Sequence, residues 1–146
     1  MMNKPKILIA EKDFSTRMQL VHTAAEAGYQ AKTTISVAPL LSSLLRKRFP
    51  VVLLGDNFEK NIQVSDLVRL MKTSYPQVVI ILVSDDISLL QVRKARELGI
   101  FYHALKPVTI EDWQELTQAM ECAFNSAASA IHTPRSGLTS SRLHLH

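Results

Sequence analysis

The sequence predicts an α/β protein, a (βα)5 three-layer sandwich in which a five-stranded parallel sheet lies between helices. Three observations predict it. Short apolar runs alternate five times with longer stretches of helical spacing. The runs at 51–55 and 77–83 are apolar almost without a break, as strands covered on both faces are. Gly28 and Gly99 stand where the first and fourth helical stretches end.

The elements follow in order. Lys6 to Ala10 reads as a first buried strand. Ser15 to Ala27 has helical spacing and closes at Gly28, and Gln30 to Ile35 is β-rich. Ser36 is placed to cap a second helix, with Pro39 in its first turn, running to about Arg48. Val51 to Gly55 is the third strand and Ser65 to Ser74 the third helix. Gln77 to Val83 is the most β-branched run and reads as a central strand. Asp86 to Leu98 is a helix stopped by Gly99, and Ile100 to Leu105 is the fifth strand. Thr109 caps a last helix on which Ile110, Trp113, Leu116, Met120, Ala123 and Phe124 share one face. The folded domain is expected to cover 1–125. Residues 126–146, rich in Ser, Thr, Ala, Pro and Gly, read as a mobile tail or linker stump.

Composition narrows the function. The 146 residues suit one domain with its own core. No apolar stretch approaches the roughly 18 residues that span a bilayer. A lone cysteine, Cys122, excludes an internal disulfide and fits a reducing cytoplasm; it is expected to be a buried, inert thiol. The net charge is +4, yet the basic residues are dispersed and no aromatics interleave them, so direct nucleic-acid binding is not expected. The densest basic cluster, Arg46-Lys47-Arg48, falls at a helix end, where cations suit the helix dipole. No Ser-His-Asp or Cys-His arrangement has a supporting motif. Four glycines cannot build a phosphate-cradling loop, so an enzyme is not expected.

The charged residues that matter fall at strand ends. In a parallel sheet of this type, sites form outside the carboxyl ends of the strands. Glu11-Lys12-Asp13, Asp56, Ser84 and Lys106-Pro107 all fall there. A carboxylate at one strand tip is a potential nucleophile, and an ammonium at another can hold a phosphoryl group that the carboxylate accepts.

On these residues the chain resembles response-regulator receiver domains, which are flavodoxin-like (βα)5 proteins. The resemblance rests on the stretch from Ile7 to Arg17, on Val51 to Asp56, on Ile81 to Ser84 and on Leu98 to Pro107. It spans roughly 5–124. Ser84 follows Asp56 by 28 residues, and Gly99 precedes Lys106 by seven, as in the family. The resemblance implies a two-component phosphorelay. Asp56 would be the phosphoacceptor, with a sensor histidine kinase or phosphotransfer protein as donor. Lys106 and Ser84 would contact the phosphoryl oxygens, and His103 would occupy the switch position of the family, equally readable as a half-exposed strand histidine. A downstream protein would bind the face made by the fourth helix, fifth strand and fifth helix. A second copy of the chain is a further candidate partner.

The chain departs from that pattern. The family has two acids in succession that hold Mg2+ beside the aspartate, and here they are Glu11 and Lys12. Lys12 is expected to repel a divalent ion and to pair with Asp56, lowering its pKa. Glu11, Asp13 and Asp56 remain as a depleted ligand set for Mg2+. Lys60 replaces the usual proline, and Val64 stands where the family has glycine. Two readings therefore stay open: a phosphorylated switch, and a phosphorylation-independent pseudo-receiver that acts as an interaction or dimerisation module.

Overall fold

The computed structural model describes residues 4–85 and 89–132. Its elements are β1 (Lys6–Ala10), α1 (Phe14–Glu26), β2 (Gln30–Thr34), α2 (Val37–Leu45), β3 (Val51–Gly55), α3 (Val64–Ser74), β4 (Val79–Ser84), α4 (Leu89–Glu97), β5 (Tyr102–Leu105) and α5 (Ile110–His132). The expected start of the fourth helix at 86–88, and the expected tail from 133 onward, lie outside the described residues.

All strands are parallel, in the order β2-β1-β3-β4-β5. Strand side chains alternate between faces, and the core divides accordingly. Leu8, Val52, Leu54, Ile80 and Leu82 pack with Leu40 of α2, Met71 of α3 and Ala95 of α4. Ile7, Ile9, Leu53, Ile81 and Val83 pack on the other face with Leu20 of α1 and Leu116 and Met120 of α5. β3 and β4 are buried throughout, which is why their sequences are apolar without alternation. β2 is the polar edge, and only Thr34 in it is buried. The chain leaves β1 for β2 on one side and returns to β3 on the other, so the sheet changes winding direction between β1 and β3. Ligand crevices open at such a point.

Several boundaries differ from the expectation. α2 stops at Leu45, because Lys47 takes a left-handed conformation (φ 56°) and its N–H turns back to the Leu44 carbonyl. Ser36 sits at the N-cap of α2 but its hydroxyl makes no capping bond. Asp13 and Thr109 do cap, through Thr16 and Asp112 respectively. Cys122 is exposed, not buried. Met120 and Ala123 occupy the inner face of α5, and the 3.6-residue period turns position 122 outward. Trp113 and Phe124 pack against the core as expected, and Phe124 stacks on Tyr29 with centroids 4.5 Å apart.

The boundary expected at 125 falls inside a helix. Ser126 to Ala130 is a run of small, helix-compatible residues, and Ala127 is buried against the second core. Ending the chain after Asn125 is therefore expected to cost about 1 kcal/mol or more relative to ending it after His132. Urea unfolding of the two chains checks this, and identical midpoints would show that 126–132 adds no stability.

Candidate functional site

The site is built at the carboxyl ends of β1, β3, β4 and β5. β1 delivers Glu11, whose side chain is 2% exposed. Its Oε2 accepts from the Asp13 N–H at 3.0 Å, while Oε1 has no hydrogen-bond partner. Burial, partly offset by that N–H and by the Lys106 ammonium, holds the Glu11 carboxyl above its ordinary pKa. The loop that carries it is pinned from below: Arg17 donates to the carbonyls of Glu11 and Lys12 at 2.9 and 3.0 Å.

β3 delivers Asp56 beside it. The Asp56 N–H extends the ladder to β4 by donating to the Val83 carbonyl at 3.1 Å. The side chain is half-buried, and its Oδ1 is a second buried carboxylate oxygen with no partner. Gly55 explains how the two acids coexist. A methyl group at 55 would overlap Glu11 Oε1 and meet its Cδ at 3.0 Å, so the Glu11 carboxylate lies across space that only glycine leaves open.

β5 delivers Lys106 from across the crevice. Its ammonium reaches Asp85 at 3.4 Å. Burial works to lower its pKa, but the carboxylates of Glu11, Asp85 and Asp56 outweigh burial and hold Lys106 above the ordinary lysine range. Ser84 and His103 close the far side: Ser84 Oγ and His103 Nε2 are 2.7 Å apart. Burial and the nearby Arg96 lower the His103 pKa, so the ring is neutral at pH 7.

The structure thus brings Glu11, Asp56, Lys106, Ser84 and His103 to one end of the sheet. It separates the other two expected residues from Asp56. Lys12 does not pair with it; its ammonium points to Glu59 at 3.8 Å, at the solvent-facing rim. The Asp56 pKa is accordingly raised, not lowered. Burial is the largest cause, and Lys106 and the backbone N–H groups of Asp56 and Asn57 offset it only in part. Asp13 is exposed and spends its carboxylate on the α1 cap, bonding the Thr16 N–H at 2.9 Å and the Thr16 hydroxyl at 2.8 Å. The loop after Asp56 is seated by Phe58, which is fully buried, and Val64 fills core where a glycine could not. Sequence reasoning missed Asp85, Glu59 and Arg17. Asp85 had a signal, being the acid next to Ser84 at a strand end; the other two are ordinary surface residues until the fold places them.

A divalent ion would suit the two orphaned oxygens of Glu11 and Asp56, but the donor set is short. Among the described residues no three His, Cys, Asp or Glu side chains converge as ligands, and Lys106 already supplies a cation to both acids. The residues present do not make the three-carboxylate set that the sequence suggested for Mg2+.

A five-stranded parallel sheet of this order, with an acid at the β1/β3 crevice and a lysine at the end of β5, defines a class: the chain has the fold of response-regulator receiver domains. Solved structures similar to it include the signal receiver domain of an HD domain-containing protein from Pseudomonas fluorescens (TM-score 0.76, 21% identity, covering 87% of this chain and 99% of that one). A response regulator receiver domain from Clostridium thermocellum matches with TM-score 0.73 and 23% identity over 83% of this chain and 94% of that one. The signal receiver domain of a putative Luxo repressor protein from Vibrio parahaemolyticus matches with TM-score 0.78 and 11% identity over 91% and 99%. At identities this low the likeness is one of fold. No protein-family model and no curated protein matches the chain.

Two outcomes are expected from this geometry. Gly55→Ala should destabilise the protein by about 1–3 kcal/mol through overpacking against Glu11. Adding Glu11→Ala should recover much of that loss, and strict additivity in the urea-denaturation cycle would show that the two residues do not compete for space. Asp56→Asn should stabilise the protein at pH 7. A carboxyl whose pKa is raised on folding binds its proton more tightly in the native state. Its penalty is therefore absent below the unfolded carboxylate pKa and grows as pH rises toward the folded value. The gain in thermal midpoint should thus disappear at acid pH; a gain that is constant with pH would assign it to something other than this charge.

Proposed function

We propose that the protein is a receiver that accepts a phosphoryl group on Asp56 from a phosphohistidine of a sensor histidine kinase or phosphotransfer protein. The observation that carries this reading is the orphaned Oδ1 of Asp56, half-buried in the β1/β3 crevice with the Lys106 ammonium near it. Burial works against the Asp56 charge, and Lys106 and two backbone N–H groups support it. That charge is the nucleophile. In the transfer, the donor N–P bond breaks and an Asp56 O–P bond forms, while the departing imidazole keeps the electron pair and takes a proton from solvent. Charge spreads over the phosphoryl oxygens in the transition state, and Lys106 is placed to stabilise it.

The signal then passes through Ser84. Its hydroxyl is engaged by His103 in this structure, so contact with a new phosphoryl oxygen would draw Ser84 away and release the ring. His103 lies in β5, next to a face that exposes Phe101, Leu105, Leu89 and Leu90. That face is where a downstream protein, or a second copy of the chain, would be recruited. The module signals by binding and is not an enzyme in its own right. It would act in the cytoplasm; none of the described helices is long and apolar enough to cross a membrane. Lys12, standing where an acid would hold the metal, favours the rival reading of a phosphorylation-independent interaction module.

Intact mass after incubation with acetyl phosphate tests both. One phosphoryl group should be gained, persist in chelator, and vanish in Asp56→Asn. Lys106→Ala should slow the gain by about a hundredfold. A gain that requires Mg2+ would show that Glu11 and Asp56 suffice as metal ligands. No gain in the folded wild type, with acetyl phosphate or with a phosphohistidine donor, would remove the switch reading and leave the interaction module.

A further inference from the structure

A second charged site lies at the opposite end of the sheet. β1 starts with Lys6, and β2 runs alongside it with Lys6 in register with Gln30 and Leu8 with Lys32. α2 runs back against the strands, so its carboxyl end brings Arg46 and Arg48 to the same place. These four cations line one concavity of about 250 Å³ that includes no acidic residue, with the buried Phe49 at its inner wall. Among the described residues none of the four is in an ion pair, whereas Lys12, Arg69 and Lys106 each have a carboxylate partner. The helix dipole of α2 accounts for part of this, since a cation near a helix carboxyl end gains about 0.3–1 kcal/mol. It does not account for Lys6 and Lys32, which come from the sheet. The turn itself keeps charge where glycine is usual: Lys47, between the two arginines, is the left-handed residue that ends α2. Four like charges in one small concavity repel, and nothing among the described residues neutralises them.

We propose that this concavity is a binding site for an oligophosphate anion, a di- or triphosphate chain either free or carried by a nucleoside. Size and charge select this class. The ligand must concentrate several negative charges in few atoms. A triphosphate does so, whereas an acidic peptide spreads its carboxylates over a chain of roughly 3.3 Å per residue. Duplex DNA needs cations along a stripe that matches one charge per about 1.7 Å of axis. The four cations here converge instead, and no exposed aromatic lines the site for base stacking. Two guanidinium forks suit paired phosphate oxygens. Gln30 and Ser43, which also line the site, add neutral hydrogen-bonding groups. The site is separate from Asp56, which lies at the other end of the strands, so the inference does not depend on phosphorylation.

Calorimetric titration of the full chain with inorganic triphosphate and with adenosine triphosphate, without divalent ions, tests it. Saturable one-to-one binding is expected. The exposed pair Arg46→Ser/Arg48→Ser should weaken it by about tenfold or more. Arg93→Ser/Lys94→Ser, which removes the same charge from α4, should change it by no more than about twofold, and Lys106→Ala should leave it intact. Equal affinity for the two ligands would mean that the phosphate chain alone is read; tighter nucleotide binding would mean that the nucleoside adds contacts. Either supports the site. Absent binding, equal loss in both double variants, or loss in Lys106→Ala would overturn it. So would tighter, arginine-dependent binding of a short DNA duplex, which would assign the surface to nucleic acid. Unchanged thermal midpoints in the variants separate lost binding from lost folding.

Discussion

The structure turns on one unbalanced electrostatic contact at the β1/β3 crevice. Glu11 is buried and Asp56 half-buried, each leaves one buried oxygen without a hydrogen bond, and the exposed Asp85 stands beside them. One ammonium, Lys106, serves all three. A buried polar atom without a partner costs about 1–3 kcal/mol, so this is a costly way to end two strands. The fold tolerates it because the sheet beneath is apolar through every central strand and leaves the ends free to carry charge.

The supports around this contact are geometric. Gly55 exists as glycine because the Glu11 carboxylate lies across it. Arg17 holds the loop after β1 through two carbonyls, and Phe58 locks the loop after β3 into the core. Each is a local choice that makes sense only in view of a neighbour on another strand. Lys12 belongs to a different group. It faces Glu59 at the rim and does not neutralise Asp56.

Ser84 and His103 give the site a hydrogen-bonded link toward the exposed face of α4 and β5. The neutral ring and the hydroxyl satisfy one another, which leaves the arrangement quiet until something competes for the hydroxyl. At the other end of the sheet four cations line one concavity, with no acid among its lining residues.

Much of the fold was legible in the sequence because hydrophobic periodicity is local. The unbroken run at 51–55 could only be a strand buried on both faces, and the one-sided pattern from Ile110 to Phe124 could only be a helix lying on a core. That Asp56, Lys106 and Ser84 would meet was legible because strand ends converge in any parallel sheet of this order, whereas His103 was singled out only by the resemblance. Distances between side chains were not legible. Whether Lys12 would reach Asp56 or Glu59 depends on how the loop after β1 turns, and Arg17 fixes that turn from six positions away. The sign of the Asp56 pKa shift followed burial, which no pattern of neighbours in sequence reveals. The end of α5 was missed because Ser and Ala read equally as tail or helix, and only the packing of Ala127 on the second core decided between them. Sequence determined which residues could meet; the tertiary structure decided which did, because charge pairing falls off over a few ångströms and only the folded chain sets those separations.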